Sequence, residues 1–471
     1  MSPKRQPSSL HKICVSLLSK QLIQALSDED GQFIEDLMIY MSSATYDTLQ
    51  VLLNEILGHI NLDASTRFSC LQVLLREDVK NLEVGIFPRF YWDKILETIH
   101  VKGKGLQYLN MKGVWVRDYP QLLSSLIENL KNLKSLIIPH MPDDSVILSV
   151  IKLKNLMKLD ISGEACYTSQ GIKLLKSESI RILDIGSFGK SALCNDSSND
   201  WQLMAEIIEN LPNLHILKTY SFTGQALLYL YNKDSNFKTK LTYLHTTDCN
   251  KEVFEAIVQT CPFLENLHLN SPQENVVVNL SALKKLHSLK LTKGDNIELK
   301  TYLQTSGHQL QALKLNHSKH SSIDLSELCE YCPYITTLEC YQMYLKYTNL
   351  NVFFMNLQKV QILYCDITDN VIKSLLINAP FLQSISVGCN LQLTDGDMFR
   401  LLAECTLENL EELLLSDARF LTAITVELLA ENCPKLKLLG SLISWDITQD
   451  EVEALRIIIA ISNTDLTLWP I

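Results

Sequence analysis

The chain has 471 residues, of which 46% are apolar, 20% charged and 8% aromatic, with 16 glycines and 13 prolines, a composition that excludes a disordered or collagen-like polymer. Forty-two basic residues against 53 acidic ones give a formal charge of −11, so a phosphate-tracking surface of clustered cations is not expected and nucleic acid is excluded as the main partner. No stretch is apolar for long enough to span a bilayer, so no membrane partner is expected, and the apolar run Ile13 to Leu18 is too short for a secretory leader. The 13 cysteines are scattered singly, which reads as reduced, buried thiols of a cytoplasmic or nuclear protein rather than a disulfide framework.

In chain order, residues 1–8 read as a flexible start and residues 9–78 as a helical module. Apolar residues recur there at helical spacing near 9–26, 31–41, 44–58 and 64–76, with Gly58 and Asp63 marking the last break. In the first of these helices Leu10, Cys14, Leu17 and Leu18 fall along one stripe. A short amphipathic helix of this kind can place a leucine and a compact thiol into an apolar groove.

From residue 79 to 471 a different period takes over. The pattern Leu-x-x-Leu-x-Leu starts at Leu106, Leu133, Leu156, Ile180, Leu214, Leu241, Leu264, Leu286, Leu310, Ile335, Leu357, Leu382, Leu410 and Leu436. A weaker copy stands at Val79-Lys-Asn-Leu82-Glu-Val84, and Leu466-Thr-Leu468 offers a last strand. Every interval but the one from Ile180 to Leu214 falls in the roughly 20–29 residues of a leucine-rich repeat. That longer interval holds a polar insertion, Gly189 to Asp200, with the composition of a surface loop. The fold class expected is therefore α/β: a leucine-rich-repeat solenoid with parallel strands on its concave face and return helices, such as those around Arg400–Cys405 and Thr425–Asn432, on its convex face. Each repeat buries its leucines only against its neighbours, and the helical module precedes the stack.

Cys261-Pro262, Cys332-Pro333 and Cys433-Pro434 stand just before strands, where proline ends the return helix. Thr and Asp follow the strands, as in Cys365-Asp-Ile-Thr-Asp369, Leu393-Thr-Asp395 and Asp446-Ile-Thr448, and suit helix caps. These repeats resemble the cysteine-containing leucine-rich repeats of ubiquitin-ligase substrate receptors, F-box proteins included, over roughly residues 79–468. The N-terminal Ser9-Leu10-His-Lys-Ile-Cys14-Val-Ser-Leu-Leu18 resembles a BC box, the segment by which such receptors bind Elongin C. Box, helical segment and first repeat come in the order of the Zyg/Zer-like group. The resemblance implies an adaptor site at Leu10, Cys14, Leu17 and Leu18 and, as partners, Elongin B/C and a cullin. Ser42 stands where that group commonly has proline, which leaves the choice of cullin open. The competing resemblance is an F-box binding a Skp-type adaptor. Its Leu-Pro opening is absent, and no tryptophan-bearing end follows Val51-Leu52-Leu53. A third alternative is a scaffold without a ligase link, in which the helices only cap the stack.

Catalytic signatures are missing: no Gly-x-Ser-x-Gly, no phosphate loop and no His-Glu-x-x-His. Cys329-Glu-Tyr-Cys332 has the spacing of half a zinc site, but a pair cannot complete a tetrahedron and core packing is expected of it. No cofactor, no metal and no enzyme activity are expected. The strand residues between the inward leucines project outward, and those of the middle repeats are rich in Tyr, His, Asn and Lys. Tyr220, Tyr243, His245, His268, Asn270 and Tyr341 are the residues expected to hold a client protein.

Overall fold

The computed structural model describes residues 2–6, 9–27, 34–59, 61–164, 166–186, 200–219, 222–316, 322–368 and 370–469. Insertion residues 189–199 and the candidate Tyr220 lie outside them. The chain divides into two units, the first comprising Ser8–Thr246 with Gln259–Phe263, the second Met1–Pro7, Thr247–Val258 and Leu264–Ile471.

The first unit opens with α1 (Leu10–Leu26), α2 (Ile34–Met41), α3 (Tyr46–Gly58) and α4 (Ala64–Leu74), close to the expected boundaries. Ser9, Thr45 and Asp63 cap α1, α3 and α4 by accepting the backbone N–H of Lys12, Thr48 and Thr66. Seven strands follow: β1 (Asn81–Glu83), β2 (Tyr108–Asn110), β3 (Ser135–Ile137), β4 (Lys158–Asp160), β5 (Ile182–Gly186), β6 (Ile216–Thr219) and β7 (Tyr243–Thr247). They pair in parallel with the pattern leucines in register: Leu82, Leu109, Leu136, Leu159, Leu183 and Leu217 stand opposite one another and are buried. This is the periodic core that the spacing requires.

The open edge of β1 is closed by a side chain. Gln50 of α3 donates from Nε2 to the Asn81 carbonyl (2.7 Å) and accepts the Asn81 N–H at Oε1 (3.0 Å), so its amide acts as the missing neighbouring strand.

The second unit carries β8 (Asn266–Asn270), β9 (Ser288–Thr292), β10 (Ala312–Asn316), β11 (Ser322–Asp324), β12 (Thr337–Tyr341), β13 (Tyr344–Lys346), β14 (Lys359–Leu363), β15 (Asp366–Ile367), β16 (Ser384–Gly388), β17 (Glu412–Ser416), β18 (Leu438–Gly440) and β19 (Thr467–Trp469). Leu267, Leu289, Leu313, Leu338, Val360, Ile385, Leu413, Leu439 and Leu468 form its inward row. The late copy at Leu466–Leu468 is thus a true strand. Cys332 and Cys433 terminate the helices Leu325–Tyr331 and Ala423–Asn432 one residue before proline, and Thr394 and Thr448 each open a helix with a reciprocal capping box. Within this unit Ser2, Arg5 and Lys4 also pair with Ala430, Asn463 and Thr464.

Two features depart from a uniform strand–helix repeat. Short parallel strands β11, β13 and β15 form a second sheet, with Ile323, Leu345 and Ile367 in register. The repeat between β13 and β14 has no return helix among its residues: a loop takes that place, held by the buried Tyr347, whose hydroxyl donates to the Val352 carbonyl (2.6 Å), and by buried Phe354.

Several strands end on a left-handed residue that is not glycine. Asp248, Ser271, Lys293, Gln342, Tyr364 and Ser441 have φ of 49–63°, and each donates its N–H to the last carbonyl of the next main-sheet strand, as Lys293 does to Asn316 (2.8 Å). The turn extends the ladder by one bond but carries the Cβ strain of a left-handed L-residue. Lys293→Gly relieves that strain and is expected to stabilise the chain by about 0.5–1 kcal/mol in urea unfolding, net of the greater freedom of glycine in the unfolded chain. A loss of stability would mean that the lysine side chain supplies contacts outweighing the strain.

Candidate interaction surfaces

Helix α1 has two apolar faces. Val15, Ser19, Leu22 and Leu26 are buried and face α3 and α4. On the opposite side Leu10 is 76%, Ile13 52% and Leu17 57% exposed, and the Cys14 thiol is also exposed; Leu18 is half-buried between the two faces. Three of the four expected adaptor residues thus share one open stripe, with Leu18 at its margin. Ile13 completes the stripe and was missed by the motif, although the i, i+3, i+4, i+7 series Leu10, Ile13, Cys14, Leu17 marks it. The stripe differs from an ordinary solvated helix face, where charged and polar residues prevail. Beyond it, Ile39 and Tyr40 of α2 are also exposed, and Ser42 lies in the turn before α3, where the Arg76 guanidinium donates to the Ser42 carbonyl (2.7 Å).

The expected client residues divide between the units. In the first, Tyr243 is half-buried, whereas His245 is only 4% exposed, with Nδ1 at 2.7 Å from the Thr219 carbonyl oxygen. In the second, Asn270 and Tyr341 stand on one register row, Asn270–Thr292–Asn316–Tyr341, spanning three strand steps or about 14 Å. His268 lies on the adjacent row with Lys290, Lys314 and Glu339, its Nε2 at 3.3 Å from the Thr292 hydroxyl. All three are half-buried. Lys314 and Glu339 neutralise each other at 2.7 Å. Tyr364, 71% exposed on its left-handed turn, adds an aromatic at the strand ends that no strand pattern marks.

Five buried cysteines are poor nucleophiles. Burial pushes the thiols of Cys70, Cys249, Cys329, Cys332 and Cys433 up to about 12, which keeps them protonated and unreactive. Cys329 and Cys332 are both buried where their helix ends, in the packing role expected of them. Among the described residues no group of three or more His, Cys, Asp or Glu side chains is placed to hold a metal ion, and no helix is long and apolar enough to cross a membrane.

The register, the inward leucine row and the return helices make this a leucine-rich-repeat solenoid. No protein-family model matches the chain, and no curated protein matches it. Among solved structures it is similar to the yeast complex of Rad7 and Elc1, with 16% identity over 98% of each chain and a TM-score of 0.46. An internalin of Listeria monocytogenes has 15% identity over 95% of this chain and 96% of its own, with a TM-score of 0.32. A leucine-rich-repeat protein of Leptospira interrogans has 16% identity over 89% of this chain and 97% of its own, with a TM-score of 0.36.

Proposed function

We propose that the chain is a non-catalytic substrate-recognition subunit of a cullin–RING ubiquitin ligase. In this reading residues 9–78 are the adaptor end, α1 seats its outer stripe in the groove of Elongin C, and the outward strand residues hold the protein to be modified. The observation that carries the reading is the open stripe Leu10, Ile13, Cys14 and Leu17 on a helix whose other face is already packed. Terminal segments that only cap a solenoid favour a polar outer face. Covering the three large side chains would contribute about 1.5–3 kcal/mol each before the cost of association. Ubiquitin transfer would be the work of other subunits.

The immobilised full chain, offered purified Elongin B/C and a purified Skp-type adaptor in parallel, is expected to retain Elongin B/C at micromolar concentration. The double substitution Leu10→Asp and Cys14→Asp is expected to weaken retention at least thirtyfold and to leave the melting temperature within about 2 °C, since both side chains are exposed. Retention of the Skp-type adaptor would support the F-box reading. Retention of neither would leave an interaction scaffold. Unfolding of the variant would place these residues in the core.

A further inference from the structure

The first unit holds a solvent-open groove of about 750 Å³ that none of the roles above uses. One wall is the last turn of α3, through Asn54, Leu57 and Gly58; the other is the outward side of β1 and β2, through Asn81, Glu83, Tyr108 and Asn110. Gly85 and Gly113 also line the groove. They come so close that a Cβ on Gly113 would lie 2.2 Å from the Gly85 carbonyl oxygen. Ile86, 74% exposed, stands at the rim. The size is that of a pocket for a drug-sized group or a few residues of peptide.

The groove's electrostatics have a direction. Tyr108 donates its hydroxyl to Glu83 Oε1 at 3.0 Å, and Asn110 donates from Nδ2 to that hydroxyl at 3.4 Å, so a short chain of hydrogen bonds orients the carboxylate. Glu83 Oε2 has no protein partner among the described residues, and Glu83 makes no ion pair within 4 Å there. The negative end of the α3 dipole lies at the same wall. Lys112 also lines the groove and makes no ion pair within 4 Å among the described residues. Ile86 offers apolar surface beside the carboxylate.

We propose that this groove binds a lysine or arginine side chain of an extended client segment, its cation on Glu83 Oε2 and its methylene stem against Ile86. The proposal rests on the client-binding reading of the strand face and adds to it a residue class and a place. Charge-assisted hydrogen bonds to an oriented carboxylate supply the selectivity, and an acidic side chain in the same place would meet both Glu83 and the helix carbonyls. Elsewhere on this face Lys218 lies 3.9 Å from Asp184.

The probe is an array of random decapeptides, acetylated and amidated so that side chains are their sole charges, offered to the full chain. Bound peptides are expected to carry a lysine or arginine next to an apolar residue. Replacing that basic residue with uncharged norleucine should weaken binding about ten- to hundredfold. Glu83→Gln should weaken the basic peptide by a similar factor without affecting the norleucine version, and Tyr108→Phe should weaken it less. Glu83 is exposed, so the melting temperature serves as the folding control. Peptides selected without regard to charge, or binding untouched by Glu83→Gln, overturn the groove assignment and leave the client reading standing. An array that selects nothing overturns both.

Discussion

Gly105→Ala is expected to destabilise the first unit by about 3 kcal/mol. A Cβ there would lie 1.7 Å from the Glu77 carbonyl oxygen and 2.9 Å from its carbon, both backbone atoms that no rotamer change can move. The turn itself would have to shift. It carries buried Leu106 and the N–H groups of Gln107 and Tyr108, which donate to the Lys80 carbonyl at 2.8 and 3.0 Å and begin the β2 pairing. The damage therefore spreads from one methyl to a strand. Gly58→Ala is the control: nothing lies within 4 Å of its Cβ position, and at the end of α3 alanine is expected to be neutral or stabilising by up to about 1 kcal/mol. Urea unfolding of both variants checks the contrast, and a Gly105→Ala chain within about 0.5 kcal/mol of the parent would contradict the placement of this turn.

Asp395→Ala is expected to cost the second unit about 2–4 kcal/mol. The carboxylate accepts the Thr422 N–H (3.0 Å), the Thr422 hydroxyl (2.8 Å) and the Thr425 hydroxyl, tying the start of one return helix to the cap of the next. Asp144 accepts the Thr168 N–H and hydroxyl in the same manner in the first unit, both at 2.7 Å. At Asp395 burial raises the carboxyl pKa, but the hydrogen bonds from Thr425 and Thr422 outweigh it and the net shift is downward. Asp397, beside the Lys373 ammonium at 2.8 Å and bonded to Thr394, is held down at about 2. A carboxyl held lower in the folded chain than in the unfolded one favours folding above the ordinary value near 4, and that contribution fades as pH falls from about 4 toward 2. The melting temperature is accordingly expected to stay level from pH 7 to 5 and to drop below pH 4. Asp397→Asn should be less stable than the parent at pH 7 and should lose less on acidification.

The leucine period carried the fold because inward strand positions have no alternative to an apolar side chain, and the register of Leu289, Leu313 and Leu338 follows from it directly. The ends of the helices were legible for the same kind of reason, at Cys332 before Pro333 and at Thr394 before Asp395. Left-handed turns were not, because Lys293, Gln342 and Tyr364 stand where glycine would have announced them. Nor was the second sheet: strands two or three residues long, such as Asp366–Ile367, leave no alternation to read. On the candidate surfaces, the α1 stripe was legible apart from Ile13. The depth of His245 was not, because outward-pointing and exposed are different properties where a neighbouring carbonyl accepts the ring. The groove at Glu83 depends on α3 meeting β1, a contact between segments that nothing in the local pattern joins.

The exposed thiols at Cys14 and Cys166 allow the adaptor reading to be tested on the native chain. Alkylation of each by iodoacetamide is followed by mass spectrometry with and without saturating Elongin B/C. Cys14 is predicted to be protected at least tenfold while Cys166 reacts at an unchanged rate. Equal Cys14 labelling in the presence and absence of Elongin B/C would contradict the proposed docking of α1.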